Sequence, residues 1–132
     1  MCIEVDEYGR PVVCAGKACR IVLAVTLAGK CPVGRFMDEL AKRRPKLLRQ
    51  LLALMQRAAA EGVPLRNKTQ FRKEKDGIFA FKRGQARIAC YQDGDFWVLV
   101  HGFVKKCDRW PKQELEKAER VMHEDYQRRL SQ

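Results

Sequence analysis

Two basic side chains flank a predicted turn between two β-strands. Lys82 lies near the end of the segment Ile78–Arg83, and Arg87 lies near the start of the segment Ala86–Gln92. Gly84-Gln85 between them is typical of a tight turn. An arginine among small and apolar strand residues is harder to explain by solubility than a lysine at an edge. Such cations can hold a phosphate group, because they donate charge-assisted hydrogen bonds to its oxygens.

Strand periodicity assigns these two cations to one face of a sheet, because successive strand side chains point to opposite faces. The other face is apolar and consists of Phe79, Phe81, Ile88 and Cys90. We expect that apolar face to pack on helices, so that Lys82 and Arg87 emerge together on an open face. A solvated sheet face without a ligand is the alternative interpretation.

Further cations precede and follow these strands, and we expect them to contact the backbone of a nucleic acid. These cations are Arg72, Lys73, Lys75, Arg83, Lys105, Lys106 and Arg109. Tyr91 is an aromatic candidate for the same contact. A charged loop is an equally fair interpretation of Lys73 and Lys75. Trp97 and Trp110 are candidates for stacking on bases, although core packing is the better interpretation of Trp97.

His101 lies in the apolar segment WVLVHGF, at positions 97–103. A lone histidine in such a segment is more often a half-buried structural residue than a catalyst. Six cysteines offer little for a metal site, since the pair closest to zinc-knuckle spacing, Cys14 and Cys19, has four residues between them. We expect reduced thiols, no metal and no cofactor.

Composition predicts one domain with a polyanionic partner. The 132 residues are 46% apolar, which is enough for one core and argues against disorder. Lys and Arg number 27 against 16 Asp and Glu, for a net charge of +11. An excess of this size is typical of proteins that bind nucleic acid. No apolar run approaches the length of a membrane span, and the start of the chain does not resemble a signal peptide, so we expect a cytoplasmic protein.

The patterns along the chain predict an α+β fold in which a helix hairpin packs on one face of a sheet. A strand, two helices, a three-stranded antiparallel meander and a last helix follow in order. Their predicted bounds are Cys19–Leu27, Val33–Arg44, Lys46–Ala60, Ile78–Arg83, Ala86–Gln92, Asp95–Phe103, and Pro111 to about Arg129. Residues 1–18 are predicted to form an extra hairpin or a loose arm.

Four segments together resemble the RelE/ParE toxin superfamily, and the nearest branch is the phage-derived, HigB-like one. The segments are CPVGRFMDEL (31–40), DGIFAFKRGQARIACY (76–91), VLVHGFVKK (98–106) and PKQELEKAERVMHEDY (111–126). The resemblance covers residues 19–130 in order and implies a RelE-like fold. Its most specific part is the Phe-x-Lys-Lys block at 103–106, followed by a helix that opens at a proline.

The resemblance implies a toxin that cuts messenger RNA, typically on the ribosome, and that a small antitoxin silences, often a helix-turn-helix protein. Cleavage in such proteins needs no metal: the RNA 2′-OH attacks the adjacent phosphate, and cations stabilise the developing charge. By position, the resemblance implies that Arg87 is the main phosphate clamp, with Lys82 and Lys105 or Lys106 as supporting cations. The candidates for the general base are His101, Tyr91 and Tyr126.

Three positions depart from the family pattern, and one of them is Trp110, which stands where a small capping residue is common before the proline. Ala80 replaces the usual acid, and Lys82 replaces an arginine whose bidentate phosphate contact a lysine cannot reproduce. These departures leave open a non-catalytic protein on the same scaffold that binds RNA or the ribosome. A ParE-like inhibitor of DNA gyrase is a further alternative, which a supercoiling assay distinguishes from an RNA-cutting toxin.

Overall fold

The computed structural model describes residues 4–64, 66–106 and 110–132, and within them the chain forms six strands and three helices. In chain order these elements are β1 (Val12–Ala15), β2 (Arg20–Leu23), α1 (Pro32–Arg43), α2 (Pro45–Glu61), β3 (Phe71–Lys75), β4 (Ile78–Arg83), β5 (Ala86–Asp93), β6 (Phe96–Val104) and α3 (Lys112–Leu130). The α+β class predicted from the sequence is confirmed. None of the described helices is long and apolar enough to cross a membrane.

The strands form one mixed sheet in the order β1-β2-β6-β5-β4-β3. β2 runs parallel to β6, and every other neighbouring pair is antiparallel. The predicted meander is therefore present as β4, β5 and β6. In its first hairpin Phe81 pairs with Ile88 and Lys82 pairs with Arg87.

The helix hairpin of α1 and α2 packs on one face of this sheet. Each helix begins at a proline, whose missing N–H is not needed in the first turn. Leu51 and Met55 of α2 are fully buried in the core that also contains Phe81 and Ile88. At one point the contact with the sheet is especially close: Phe36 of α1 lies directly on Gly102, where a Cβ atom would overlap its ring.

The opposite face of the sheet carries α3, and here the expectation of an open face is wrong over much of the sheet. Ala118 and Val121 of α3 belong to a second buried cluster with Tyr91, Val98 and Val100. The physical reason is that this face is apolar as well, and an apolar sheet face requires a covering layer. Only the ends of the strands nearest the β4–β5 turn remain outside that cluster.

Two elements differ from the predicted set, and a third region decides between two alternatives. β2 ends at Leu23, before the predicted Leu27, because the chain turns where the N–H of Thr26 donates to the carbonyl of Lys30 at 2.8 Å. β3 was not predicted as a strand, and a charged loop was one interpretation of Lys73 and Lys75, yet β3 forms the sheet edge beside β4. Of the alternatives for residues 1–18, the described part forms a packed hairpin arrangement, since β1 pairs with β2 and Val5 bridges Pro11.

Candidate nucleic-acid interface

A group of basic side chains lies on the α3 side of the sheet, at the strand ends beyond the second buried cluster. We call Arg72, Lys82, Arg87 and Lys105 the cationic patch. Arg72 pairs with Ala80, two residues before Lys82, and Lys82 pairs with Arg87, so the register aligns these cations on one face of β3, β4 and β5. Lys105 follows β6 and joins them, since its charge acts on Lys82.

Arg87 is the most buried cation of the patch, with 8% of its surface exposed. Its Nη1 donates hydrogen bonds to the carbonyl oxygens of Gly84 at 2.7 Å and Ala86 at 2.9 Å. The Nε atom is buried and has no hydrogen-bond partner among the described residues. Burial lowers the pKa of Arg87, but an arginine stays charged at neutral pH. Arg87 is thus a cation whose guanidinium is fixed in place by two backbone contacts.

Lys82 is half-buried, and its Nζ donates to the carbonyl oxygen of Lys68 at 3.0 Å. Burial lowers its pKa most, followed by the positive charges of Arg87 and Arg72, while Glu74 acts in the opposite sense. Arg87 and Arg72 are therefore close enough to Lys82 to disfavour its charged form, and Glu74 offsets only part of their effect. The patch is therefore suited to bind a phosphate.

His101 lies on the same face as Arg87, because it pairs with Ala89 while Arg87 pairs with Phe103. Its Nε2 lies 3.2 Å from Oε1 of Glu114 in the first turn of α3. The ring stacks on Phe103, with 5.8 Å between centroids. Burial lowers the pKa of His101 and outweighs Glu114, which raises it. The imidazole is thus held in one orientation and is neutral at pH 7.

The remaining cations predicted for RNA binding are more dispersed. Lys75 donates to Oε1 of Glu119 in α3 at 2.6 Å, and Lys73 lies 3.4 Å from Asp76, so both are in ion pairs. Arg83 belongs to the helix-hairpin side of the sheet, and Lys106 is exposed after β6. Arg109 lies outside the described residues.

Residues 37–123 match the model of a family described as phage derived protein Gp49-like (DUF891). The chain belongs to this family. The family is RelE-like and toxin-like, and its members are commonly the toxins of toxin–antitoxin pairs. No curated protein matches the sequence at a significant level.

The Gp49-like segment extends from α1 into α3 and includes the whole cationic patch as well as His101 and Glu114. Residues before position 37 lie outside it, as do those after position 123. β1 and β2 therefore lie outside the matched segment. A buried polar cluster joins the chain around these two strands to the end of α3.

Arg10 is the centre of that cluster, and its side chain is fully buried. Its Nη2 donates to Oδ2 of Asp125 at 2.7 Å and to Oδ2 of Asp93 at 3.0 Å. Oδ1 of Asp125 accepts from the backbone N–H of Val25 at 2.9 Å. Asp125 thus binds the N-terminal segment and the chain after β2 together. The sequence carried one signal of this: Asp125 follows Val121 by four residues, on the apolar side of α3.

Tyr91 belongs to this buried cluster and not to the cationic patch, contrary to the expectation that it binds RNA. Its hydroxyl donates to Oδ2 of Asp125 at 2.6 Å, and burial raises its pKa well above the ordinary value. It cannot serve as a base in that setting. Tyr126 is 44% exposed but lies about 18 Å along α3 from Glu114, so it is also remote from the patch.

The tryptophans and cysteines have mainly structural positions. Trp97 is buried in the core beneath α2, and Trp110 contacts Phe103 edge-on with 4.6 Å between centroids. Among the described residues no three His, Cys, Asp or Glu side chains form a group that can hold a metal. Burial raises the pKa of the Cys14 thiol to about 11, which disfavours the thiolate that a metal needs.

Proposed function

We propose that this chain is the HigB-like toxin of a toxin–antitoxin pair and that it cleaves messenger RNA on the ribosome without a metal. One observation carries the proposal: backbone contacts fix the guanidinium of Arg87, and cross-strand pairing puts Lys82 beside it on the same face of the sheet. Membership of the toxin-like Gp49 family supports it. The patch then holds the scissile phosphate of the RNA.

In the proposed reaction, the 2′-oxygen of the RNA forms a bond to the adjacent phosphorus, and the bond from phosphorus to the 5′-oxygen breaks. The 5′-oxygen leaves with the bonding electron pair and takes a proton from water, so the products are a 2′,3′-cyclic phosphate and a 5′-hydroxyl. Negative charge builds up on the phosphate oxygens in the transition state. Arg87 stabilises that charge, with Lys82, Lys105 and Lys106 in support. Its two bonds to backbone carbonyls fix the guanidinium beforehand, so little reorganisation is needed during the reaction.

His101 is the general base in this proposal. A carboxylate can only accept, so the contact with Glu114 assigns the ring hydrogen to Nε2 and leaves Nδ1 as the basic nitrogen. The lowered pKa keeps the ring neutral at pH 7, which is the form that accepts the proton of the 2′-OH. Cross-strand register puts His101 diagonally across from Arg87, at roughly 7 Å between Cβ atoms.

Induction of the protein in bacteria tests this proposal. The wild type should arrest growth and produce transcripts cut within reading frames, and Arg87→Ala should abolish both effects. Lys30→Ala, which removes an exposed lysine outside the patch, should behave as the wild type. Normal growth and intact transcripts on induction of the wild type would contradict the proposal. Cleavage of messenger RNA by the purified protein, with and without ribosomes, then tests the site of action.

A cognate antitoxin is part of the same proposal. Toxins of this kind are paired with an antitoxin, and a net charge of +11 favours an acidic partner. We propose a helix-turn-helix protein encoded by a neighbouring reading frame. Co-expression of that frame should restore growth, and the two proteins should purify as one complex.

A non-catalytic RNA-binding protein is the second candidate, and the internal contacts of the site favour it. Nη1 of Arg87 and Nζ of Lys82 already bind backbone carbonyls, and Nε2 of His101 already binds Glu114. Such a protein would form a salt-sensitive complex from which RNA is recovered intact. Recovery of cut RNA from the wild type, but not from Arg87→Ala, excludes it.

A further inference from the structure

A second run of positive charge lies on the helix hairpin, outside the cationic patch. Between Glu39 and Glu61 the chain has no acidic residue. The same stretch contains six cations: Lys42, Arg43, Arg44, Lys46, Arg49 and Arg57. The ion pair that forms here within the described residues joins Arg43 to Glu39, and both of its side chains are largely exposed.

Helix geometry aligns part of this charge along one side of α2. Lys46, Arg49, Ala53 and Arg57 are spaced by three, four and four residues, so they follow one exposed stripe. The opposite side of α2 is buried in the core through Leu51 and Met55. The stripe extends over about 16 Å of helix, which is long enough for several phosphates of an extended strand.

Two depressions of about 140 and 550 Å³ follow this stripe where α2 faces the β4–β5 turn. They share Gln50, and we call them together the basic groove. Its polar lining consists of Arg44, Lys46, Arg49, Gln50, Arg57, Gln70, Arg83 and Gln85. No ion pair with a described carboxylate neutralises its lysine and arginines.

The β4–β5 turn separates the basic groove from the cationic patch. Gly84 and Gln85 line the groove, and both also contact the patch: Nη1 of Arg87 binds the carbonyl of Gly84, and the N–H of Lys105 binds that of Gln85. Arg83 and Arg87 therefore lie on opposite sides of a two-residue turn. A nucleic-acid strand that extends from the patch across this turn would therefore enter the groove.

We propose that the basic groove binds the sugar–phosphate backbone of the same RNA strand that the cationic patch holds. The inference rests on the proposed function for its choice of RNA, but it does not require cleavage. The groove is a binding subsite, and its arginines and amides contact backbone oxygens without reading bases. With the groove included, the surface of the protein that contacts RNA extends from the scissile phosphate in the patch to the helix hairpin.

An acidic protein helix is the competing ligand, because a helix docked in a groove needs apolar anchors and Pro45, Leu47 and Leu54 also line this one. RNA is preferred because the exposed stripe of α2 beside the groove is cationic and the stretch between Glu39 and Glu61 contains no acid. Guanidinium groups beside amides suit phosphate oxygens. Competition with an acidic polypeptide distinguishes the two ligands.

Binding of 2′-O-methyl RNA tests the inference, because this ligand cannot be cleaved and its binding is measured whether or not the protein is a nuclease. Two oligonucleotides are compared, one of about 5 nucleotides and one of about 20. Arg49→Ala with Arg57→Ala should weaken the long ligand roughly tenfold or more and reduce its log–log salt slope by about 1.4, for two lost contacts. The short ligand should bind as tightly as to the wild type.

Two matched variants complete the test. Arg49→Lys with Arg57→Lys keeps the charge and should retain most of the salt slope, whereas Lys17→Ala with Lys30→Ala removes two exposed charges outside the groove and should change neither ligand. Unchanged affinity of the Arg49→Ala, Arg57→Ala protein for the long RNA overturns the inference. Competition by poly-glutamate as effective as that by RNA of equal length also overturns it, because the groove would then lack phosphate selectivity.

Discussion

Lys82 is a cation of the patch that already has a partner within the protein. Its Nζ binds the carbonyl of Lys68, and burial and the neighbouring cations lower its pKa. Lys82→Arg supplies a planar fork that can hold two phosphate oxygens at once. We expect this variant to bind RNA several-fold more tightly and Lys82→Ala to bind it more weakly. Fluorescence anisotropy measures both, and equal affinity of all three proteins would remove Lys82 from the site.

His101 and Glu114 allow a pH prediction. Burial lowers the pKa of His101 below 6.5, and Glu114 acts against burial. Glu114→Gln removes that opposing effect, so the pKa of His101 should fall further. The acid limb of the cleavage rate should therefore shift to lower pH. Proton NMR can follow the titration directly, since the chain has two histidines and His101→Gln identifies which signal belongs to His101.

The same shift has a consequence for stability with a definite sign. The folded state holds His101 at a lower pKa than the unfolded chain does, so the folded state prefers the neutral ring. This contribution to the free energy of unfolding is present above pH 6.5 and is lost as the pH falls below it. Urea unfolding of the wild type and His101→Gln across this interval should converge at low pH. Parallel curves would contradict the assignment.

Among the elements, the contact of α1 with β6 depends on Gly102. A side chain there overlaps the ring of Phe36, so Gly102→Val should destabilise the protein by about 1–3 kcal/mol through overpacking. Phe36→Ala in the same chain makes room for the valine. The double variant should therefore be more stable than the sum of the two single changes implies, as measured by urea unfolding. Strict additivity would show that the two residues do not interact.

The end of α3 and the N-terminal segment are joined through a buried charge pair. Asp125→Ala removes the acid closest to buried Arg10, and it also leaves the hydroxyl of Tyr91 without its acceptor. Loss of one partner of a buried ion pair costs about 3–5 kcal/mol. Glu116→Ala removes an exposed acid 3.9 Å from Lys112 and should cost less than about 1 kcal/mol. Chemical denaturation compares the two. A small effect at Asp125 would mean that Asp93 and Asp6, which also contact Arg10, are enough to balance its charge.

The elements with regular apolar periods could be predicted from the sequence. The stripe of leucines in α2 and the alternation in β4 and β5 report directly which side is buried. β3 could not be predicted in this way, because four of its five residues are charged and only its pairing with β4 makes it a strand. The position of α3 was missed for a related reason: small residues such as Ala80 and Ala89 do not reveal whether a face is covered.

The candidate site was predictable in part for the same reasons. Lys82 and Arg87 were assigned to one face from local alternation, and their cross-strand pairing agrees. Tyr91 is on the same face of β5, but it lies farther from the β4–β5 turn than Arg87 does, and there α3 covers the sheet. Its partner Asp125 is 34 residues away in sequence, and no local pattern encodes such a contact. The basic groove was missed because its charge is distributed over a helix that was interpreted through its apolar side.

At the scale of the whole molecule, the excess of positive charge should make stability depend on the kind of anion. Salt screens the repulsion among cations, and an anion that binds the folded state adds a further stabilisation. At equal ionic strength, phosphate should therefore raise Tm more than chloride does. Arg87→Ala combined with Lys82→Ala should remove much of that difference in scanning fluorimetry. A difference that survives this change would assign phosphate binding to another part of the surface.

The ion pair between Arg10 and Asp125 also determines when the protein can fold during its synthesis. The two residues are 115 positions apart, and β2 needs β6 as its parallel neighbour. Contacts of such long range fold slowly, because the intervening chain must close before they contribute. While the ribosome is still translating, the first strands have no sheet to join, and Arg10 has no acid from α3 to bind. The nascent chain therefore reaches its folded state only after the last helix has emerged.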